Sequence, residues 1–84
     1  MKYTKTEMKL IEEAHKNHLG LVSAEKFVGR GPEGGRVNYG KRRHSALSRL
    51  IHDGVLEQVE RSSSLQTEGG YGVDCYLIIA RLPK

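Results

Sequence analysis

Tryptophan is absent from this chain of 84 residues, and cysteine and long apolar runs are nearly so. Cys75 is the single cysteine, so no disulfide forms within the chain, which favours a reducing compartment. Because Cys75 lies in an apolar strand pattern, we interpret it as a small buried hydrophobe. The longest apolar run, residues 76–80, is far shorter than the roughly 18 residues of a membrane span. Since residues 1–7 are polar rather than apolar like a secretion signal, we predict a cytoplasmic protein.

The chain also lacks the patterns of an enzyme or a metal protein. Residues 29–34 match G-x-G-x-x-G, but no helix is predicted to begin after them. Residues 35–42 approach a nucleotide-binding phosphate loop, but Arg42 stands where that loop needs a magnesium-binding hydroxyl. His15 and His18 have a spacing that can hold a metal, yet two nitrogens make no strong site, so we interpret both as partly buried structural residues. We predict no catalytic residue, no cofactor and no metal.

What the chain does have is basic charge concentrated in one segment. The net charge is +4, from 14 Lys and Arg against 10 Asp and Glu. Residues 36–52 contain five bases and no acid, which leaves nine bases and ten acids elsewhere. Such concentrated charge is typical of a protein that binds a polyanion. On its own, a solvated helix face explains a basic run equally well.

Periodicity and capping signals predict two helices before residue 36. The first runs from about Thr6 to Asn17, opens with a Thr4–Glu7 capping box and ends at Gly20. A short extra strand is compatible with residues 21–22. A second, barely two-turn helix covers residues 24–28. Four glycines in residues 29–35 then predict an exposed loop.

A third predicted helix carries the basic segment. It runs from about Tyr39 to Asp53, with Asn38 as its N-cap and Gly54 just after its end. Leu47, Leu50 and Ile51 form the buried stripe, with His44 and Gly40 one and two turns earlier on the same side. At 100° per residue the opposite, exposed arc holds Lys41, Arg42, Ser45, Ser48, Arg49 and His52. The periodicity therefore separates a basic outer face from a core-facing stripe.

Two strands complete the expected architecture. Residues 55–60 and 73–80 read as strands, joined by a polar, glycine-rich hairpin tip over residues 61–72. We expect one α+β domain over residues 1–84, with three helices followed by a two-stranded β-hairpin.

That element order resembles the winged helix-turn-helix family of DNA-binding domains over nearly the whole chain. The stretch from Ser45 to Glu57 resembles the end of a recognition helix that turns at Gly54 into the first strand of the wing. The resemblance implies that the third helix enters the major groove of DNA while the wing contacts the backbone. Arg30 and Arg36 then flank the helix. The DNA-binding residues implied are Arg36, Asn38, Lys41, Arg42, Ser45, Arg49, Arg61 and Ser63.

These observations predict binding of double-stranded DNA, sequence-specific or architectural, in transcriptional regulation. One alternative is a protein-interaction module, in which the basic face binds an acidic partner or the hairpin pairs with another chain. A second alternative is RNA binding, although the five aromatic residues lack the spacing of an RNA-binding motif. A homodimer is a reasonable expectation, because one such domain contacts only a short DNA site.

Overall fold

A four-stranded antiparallel sheet forms the framework of the protein, in the order β2 (Arg36–Tyr39), β1 (Leu21–Arg30), β4 (Tyr71–Arg81) and β3 (Glu57–Glu68). The computed structural model describes residues 3–31, 34–68 and 71–83. Both helices pack on the sheet face that carries Val22, Ala24, Ile78 and Ala80, which we call the helix-side face; the other is the open face. The elements are α1 (Lys5–Lys16), β1 (Leu21–Arg30), β2 (Arg36–Tyr39), α2 (Lys41–His52), β3 (Glu57–Glu68) and β4 (Tyr71–Arg81).

The α+β class agrees with expectation, but the predicted three helices followed by a two-stranded wing are wrong. Residues 24–28 are part of strand β1 and not a helix. Strand β1 pairs with β4 along its whole length, from Leu21 opposite Arg81 to Arg30 opposite Gly72. These long-range backbone hydrogen bonds override the weak helix preference of a five-residue stretch. The two-residue strand compatible with residues 21–22 is the beginning of β1.

Helix α1 lies within one residue of its predicted bounds and begins with the predicted capping box. The Thr4 hydroxyl accepts from the Glu7 backbone N–H at 3.2 Å, and Glu7 Oε1 accepts from the Thr4 N–H at 2.8 Å. Its buried residues are Glu7, Leu10 and Ala14. His15 and His18 are exposed, so their interpretation as partly buried residues is wrong. Glu7 is buried although it is charged, and its carboxylate has partners in Thr4 and Arg49 that compensate its burial.

Helix α2 is the predicted third helix with a different N-cap. It begins at Lys41, and Gly40 is the N-cap, with φ at +75° and no side-chain hydrogen bond. Asn38 is not a cap, because it lies in β2 opposite Val28. At the other end, Gly54 has φ at +78° as expected. The following Val55 N–H donates to the Leu50 carbonyl at 2.9 Å, which closes the last turn.

The regions predicted as loops are mostly strand. In the predicted glycine-rich loop, Gly29 and Arg30 belong to β1, and the Gly31 N–H donates to the Gly35 carbonyl at 2.8 Å. Residues 32 and 33 lie outside the described residues. In the predicted 61–72 tip, residues 61–68 and 71–72 belong to β3 and β4. Residues 69 and 70 lie outside the described residues. Serine-rich sequence forms strand here because β4 supplies a continuous partner.

The core lies between the helices and the part of the sheet that contains Val22, Ala24, Ile78 and Ala80. Leu10 of α1, Leu47 and Leu50 of α2 and Ile78 of β4 are fully buried in it. Their contact fixes α2 across β1 and β4, with its outer side turned away from the sheet. Within the described part of the chain, no helix is long and apolar enough to cross a membrane.

Alanine at Gly40 should therefore destabilise the protein strongly. A Cβ there meets the Glu25 carbonyl oxygen of β1, in a backbone conformation that L-residues avoid. We expect Gly40→Ala to lower the free energy of unfolding by about 3 kcal/mol or more. The matched control is Gly54→Ala, with φ at +78° and no atom within 4 Å of its Cβ; it should cost about 1–2 kcal/mol. Equal losses in urea denaturation would contradict the close-approach argument.

Candidate nucleic-acid interface

The exposed side of α2 carries four of the residues predicted to contact DNA. Lys41, Arg42, Ser45 and Arg49 are all exposed. Positions 41, 45 and 49 follow one another at four-residue spacing, so they form a continuous row. The buried residues of the same helix include Leu47 and Leu50. The sequence-based separation of a basic face from a core stripe is confirmed for this helix.

This row forms one wall of an open groove of about 710 Å³ between α2 and the N-terminal turn of α1. The groove joins the α2 residues to Lys5, which the sequence analysis did not single out. Nothing in the sequence pairs Lys5 with α2, because only tertiary packing of the two helices brings them together. The groove is lined by Thr4, Lys5, Thr6, Glu7, Lys41, Arg42, Ser45, Ala46 and Arg49.

A buried carboxylate holds Arg49 at the groove. Glu7 is only 2% exposed, and its Oε2 lies 3.4 Å from Arg49 Nε. Asp53 Oδ2 lies 3.8 Å from the same nitrogen, one turn further along α2. The guanidinium is thus held between α1 and α2 instead of extending freely into solvent. This geometry orients Arg49 and also reduces its net charge toward a ligand.

Arg43 belongs to the basic segment but serves the fold. Its two terminal nitrogens donate to the carboxylate of Glu13 at 2.9 and 3.0 Å, and its Nε donates to the Ser23 carbonyl at 3.0 Å. Arg43 therefore connects α2 to both α1 and β1. The hydrogen bonds from Arg43 hold the pKa of Glu13 below its usual value, against the opposing effect of burial.

The other four predicted residues lie on the sheet, away from the groove. Arg36 and Asn38 are on β2, and Arg61 and Ser63 are on β3. These strands are the two edges of the sheet, about 14 Å apart at normal strand spacing. Asn38 therefore lies on an edge strand rather than at the helix end, contrary to its predicted position.

Arg61 is the predicted sheet residue that reaches α2. Its terminal nitrogen donates to Ser48 Oγ at 3.0 Å, and its Nε donates to Gln58 Oε1 at 3.2 Å. His44 is buried nearby, as its position on the core stripe predicted. Burial lowers the pKa of His44, and the charges of Lys26 and Arg61 lower it further. Lys26 is thus a second cation that the sequence analysis missed, since residues 24–28 were interpreted as a helix.

Cys75 lies beside a carboxylate on the sheet. Cys75 is half-buried on the open face, so its interpretation as a fully buried residue is wrong. Its Sγ lies 3.8 Å from Glu25 Oε2. Burial and that carboxylate raise the pKa of the thiol, which disfavours the reactive thiolate. In the described ranges, no three His, Cys, Asp or Glu residues are grouped so as to hold a metal ion.

Comparison with family models, with curated proteins and with solved structures gives no match. The resemblance of residues 45–57 to winged helix-turn-helix proteins therefore stays a prediction.

The Arg43–Glu13 pair should stabilise the fold in a pH-dependent way. Because the folded-state pKa of Glu13 is lowered, its contribution is present above the usual value of 4.5 and is lost as the pH falls through the lowered pKa. At neutral pH, Glu13→Gln should lower the free energy of unfolding by no more than about 1 kcal/mol, since the pair is half-exposed.

The measurement is urea unfolding of wild type and variant at a series of pH values from neutral downward, where the difference should shrink as the pH falls below 4.5. Glu12→Gln is the matched control, because Glu12 pairs only with Lys16 on the same helix at 2.9 Å. A Glu13→Gln effect that persists in acid would show that the pair does not act through its charge.

Proposed function

We propose that this protein binds double-stranded DNA with the exposed side of α2 and acts in a DNA transaction such as transcriptional regulation. The observation that carries the proposal is the groove between α1 and α2, where Lys5, Lys41 and Arg42 converge on one open surface. Glu7 is the acid in the groove lining, and it is buried against Arg49; residues 36–52 contain no acid. A surface with this charge attracts a polyanion and releases counterions when it binds one.

The shape of α2 favours duplex DNA among polyanions. The major groove is about 12 Å wide and admits one α-helix. Helix α2 presents its whole outer row to solvent, from Lys41 to Arg49, along three turns. Arg42 has the guanidinium geometry that donates to guanine O6 and N7 together. Ser45, one turn along, supplies a short donor and acceptor for a base edge or a phosphate.

The neighbouring N-terminus of α1 suits the sugar-phosphate backbone. Lys5 lies in its first turn, and the positive end of the α1 dipole points toward the same groove. The anchoring of Arg49 by Glu7 lowers the conformational entropy that this side chain loses on binding. We assign Lys5 and Lys41 to phosphates, and Arg42 and Ser45 to the base edges.

Salt-dependent binding tests this proposal. Fluorescence anisotropy of a labelled random duplex should show an affinity that falls linearly in log K against log salt concentration. Undetectable or salt-independent binding of the wild type would overturn the proposal.

Substitutions on the exposed side of α2 should distinguish residues that contact phosphates from residues that contact base edges. Lys41→Ala should weaken all duplexes alike and make the salt slope shallower by about 0.9. Arg42→Ala should cost about 1–3 kcal/mol on a selected site and reduce discrimination between sites. Lys9→Ala removes the same charge from an exposed position on α1 outside the groove and should leave binding unchanged. Equal effects of all three variants would argue against a defined interface.

A protein partner is the second candidate, favoured by the position of β3. This strand, Glu57–Glu68, is an edge of the sheet and is therefore open to pairing with another chain. A pull-down with one stoichiometric protein partner that excess duplex does not displace would favour this candidate. Multi-angle light scattering of the isolated protein distinguishes a homodimer from a monomer.

A further inference from the structure

The helices cover the helix-side face near Val22 and Ala24 of β1 and leave it uncovered further along the strand, from Lys26 to Arg30. Register places Val22 beside Ala80, and Ala24 beside Ile78, in the two rows beneath the helices. The next rows along the strands contain Lys26 beside Tyr76, then Val28 beside Asp74, then Arg30 beside Gly72. Val28 is 38% exposed, although it lies on the same face as the core residues. At about 3.3 Å per residue, this uncovered surface extends about 13 Å from Lys26 to Arg30.

The uncovered surface is strongly basic. Strand alternation places Lys26, Arg30, Arg36 and Arg61 on the helix-side face. Contacts confirm this for two of them, because Lys26 Nζ lies 4.9 Å from the centre of the Tyr76 ring and Arg61 bonds to α2. Asp74 is the one acid on this face among strand residues whose side chains are described.

The open face of the sheet has the opposite charge. Its described side chains include Glu25, Glu57 and Glu60 against the single cation Arg81. Contacts agree with this placement, since Arg81 donates to Glu57 at 2.8 Å and Cys75 contacts Glu25. Cations and acids of the strands are therefore sorted between the two faces, a property that net charge alone does not show.

One feature of the basic surface opposes the stability of the free protein. Arg30 and Arg36 are directly opposite each other on the antiparallel strands β1 and β2, and both are exposed. Like charges in directly opposed strand positions repel and destabilise the pair. An anion that lies between the two guanidinium groups removes that repulsion and gains two charge-assisted hydrogen-bond partners.

We infer that the β1–β2 hairpin is a phosphate-binding arm, in which Arg30 and Arg36 hold the sugar-phosphate backbone of the duplex whose major groove receives α2. The inference rests on the proposed function, because α2 sets where the duplex lies. Helix α2 begins directly above β1, at the close approach of Gly40 to the Glu25 carbonyl, so the arm extends past its N-terminal end. A DNA strand presents one phosphate per 3.4 Å of helix axis, so a 13 Å surface meets several.

The inner part of the same surface, at the corner between α2 and the sheet, carries Lys26 and Arg61 near the buried His44. Burial is the first cause of the lowered pKa of His44, and the charges of Lys26 and Arg61 are the others. The field of these two cations thus reaches the corner between α2 and the sheet. A backbone held by Arg30 and Arg36 and continuing toward α2 passes Lys26 on the way.

Arg30→Ala and Arg36→Ala test the arm with two measurements, duplex affinity and the thermal midpoint of the free protein, which should not fall together. Each variant should lose duplex affinity and make the salt slope shallower by about 0.9. Each should also leave the thermal midpoint of the free protein unchanged or raise it, because the repulsion between the two arginines is gone. A residue with a merely structural role would lower the midpoint. Lys9→Ala is again the matched loss of one charge.

The outcomes separate the arm from the α2 proposal. If Arg42→Ala weakens binding while Arg30→Ala and Arg36→Ala leave affinity and salt slope unchanged, the arm is overturned and α2 docking stands. A wild type without duplex affinity overturns both. A further measurement uses inorganic phosphate at matched ionic strength in place of the duplex. If it raises the thermal midpoint of the wild type as much as the duplex does, and not that of Arg30→Ala, the pair holds a free anion and not DNA.

Discussion

The contact between Gly40 and the carbonyl of Glu25 fixes the relation between the sheet and the proposed binding helix. The chain leaves edge strand β2, turns with a positive φ and begins α2 directly against the backbone of β1. No side chain fits in that turn. Because α2 starts there, its buried residues meet Ile78 and its outer row faces away from the sheet. The groove beside α1 and the uncovered half of the sheet both follow from this one starting point.

The basic residues divide into those that hold the fold and those that remain available to a ligand. Arg43 donates hydrogen bonds to Glu13 and Ser23, whereas its neighbour Arg42 is exposed at the groove. Arg49 is intermediate, since Glu7 and Asp53 contact it at the groove edge. Adjacent arginines thus differ in role because successive residues on a helix point about 100° apart. The number of basic residues in 36–52 therefore overestimates the positive charge that is available to a polyanion.

The sequence predicted well whatever depends on local signals. The Thr4–Glu7 capping box, the glycine after α2 and the division of α2 into buried and exposed sides all rest on residues within a few positions of one another. Most of the errors concern pairing between distant residues. Ala24 to Val28 has both helical and extended potential, and only the partner strand β4 decides for strand. Serines 62–64 resemble a loop until β4 pairs with them.

The same division applies to the candidate site. Lys41, Arg42, Ser45 and Arg49 were found because helical periodicity alone places them together. Lys5 and Lys26 were missed because helix packing and strand pairing bring them to this region. Asn38 was misplaced because the helix start was set by a capping preference, whereas the chain uses glycine geometry there. Alternation along β1 reveals the partners of Arg36 only after residues 24–30 are known to be a strand.

The sorting of charge between the two sheet faces gives the sheet an electric dipole across its thickness. Glu25, Glu57 and Glu60 lie on one side of the sheet, and Lys26, Arg30 and Arg36 lie on the other. A large polyanion exerts a torque on such a molecule before contact, within about one Debye length, roughly 8–10 Å. The basic side turns toward the polyanion, and encounters through the acidic side are repelled. Under the proposed function, the sheet therefore influences the rate and orientation of association as well as the contacts made afterwards.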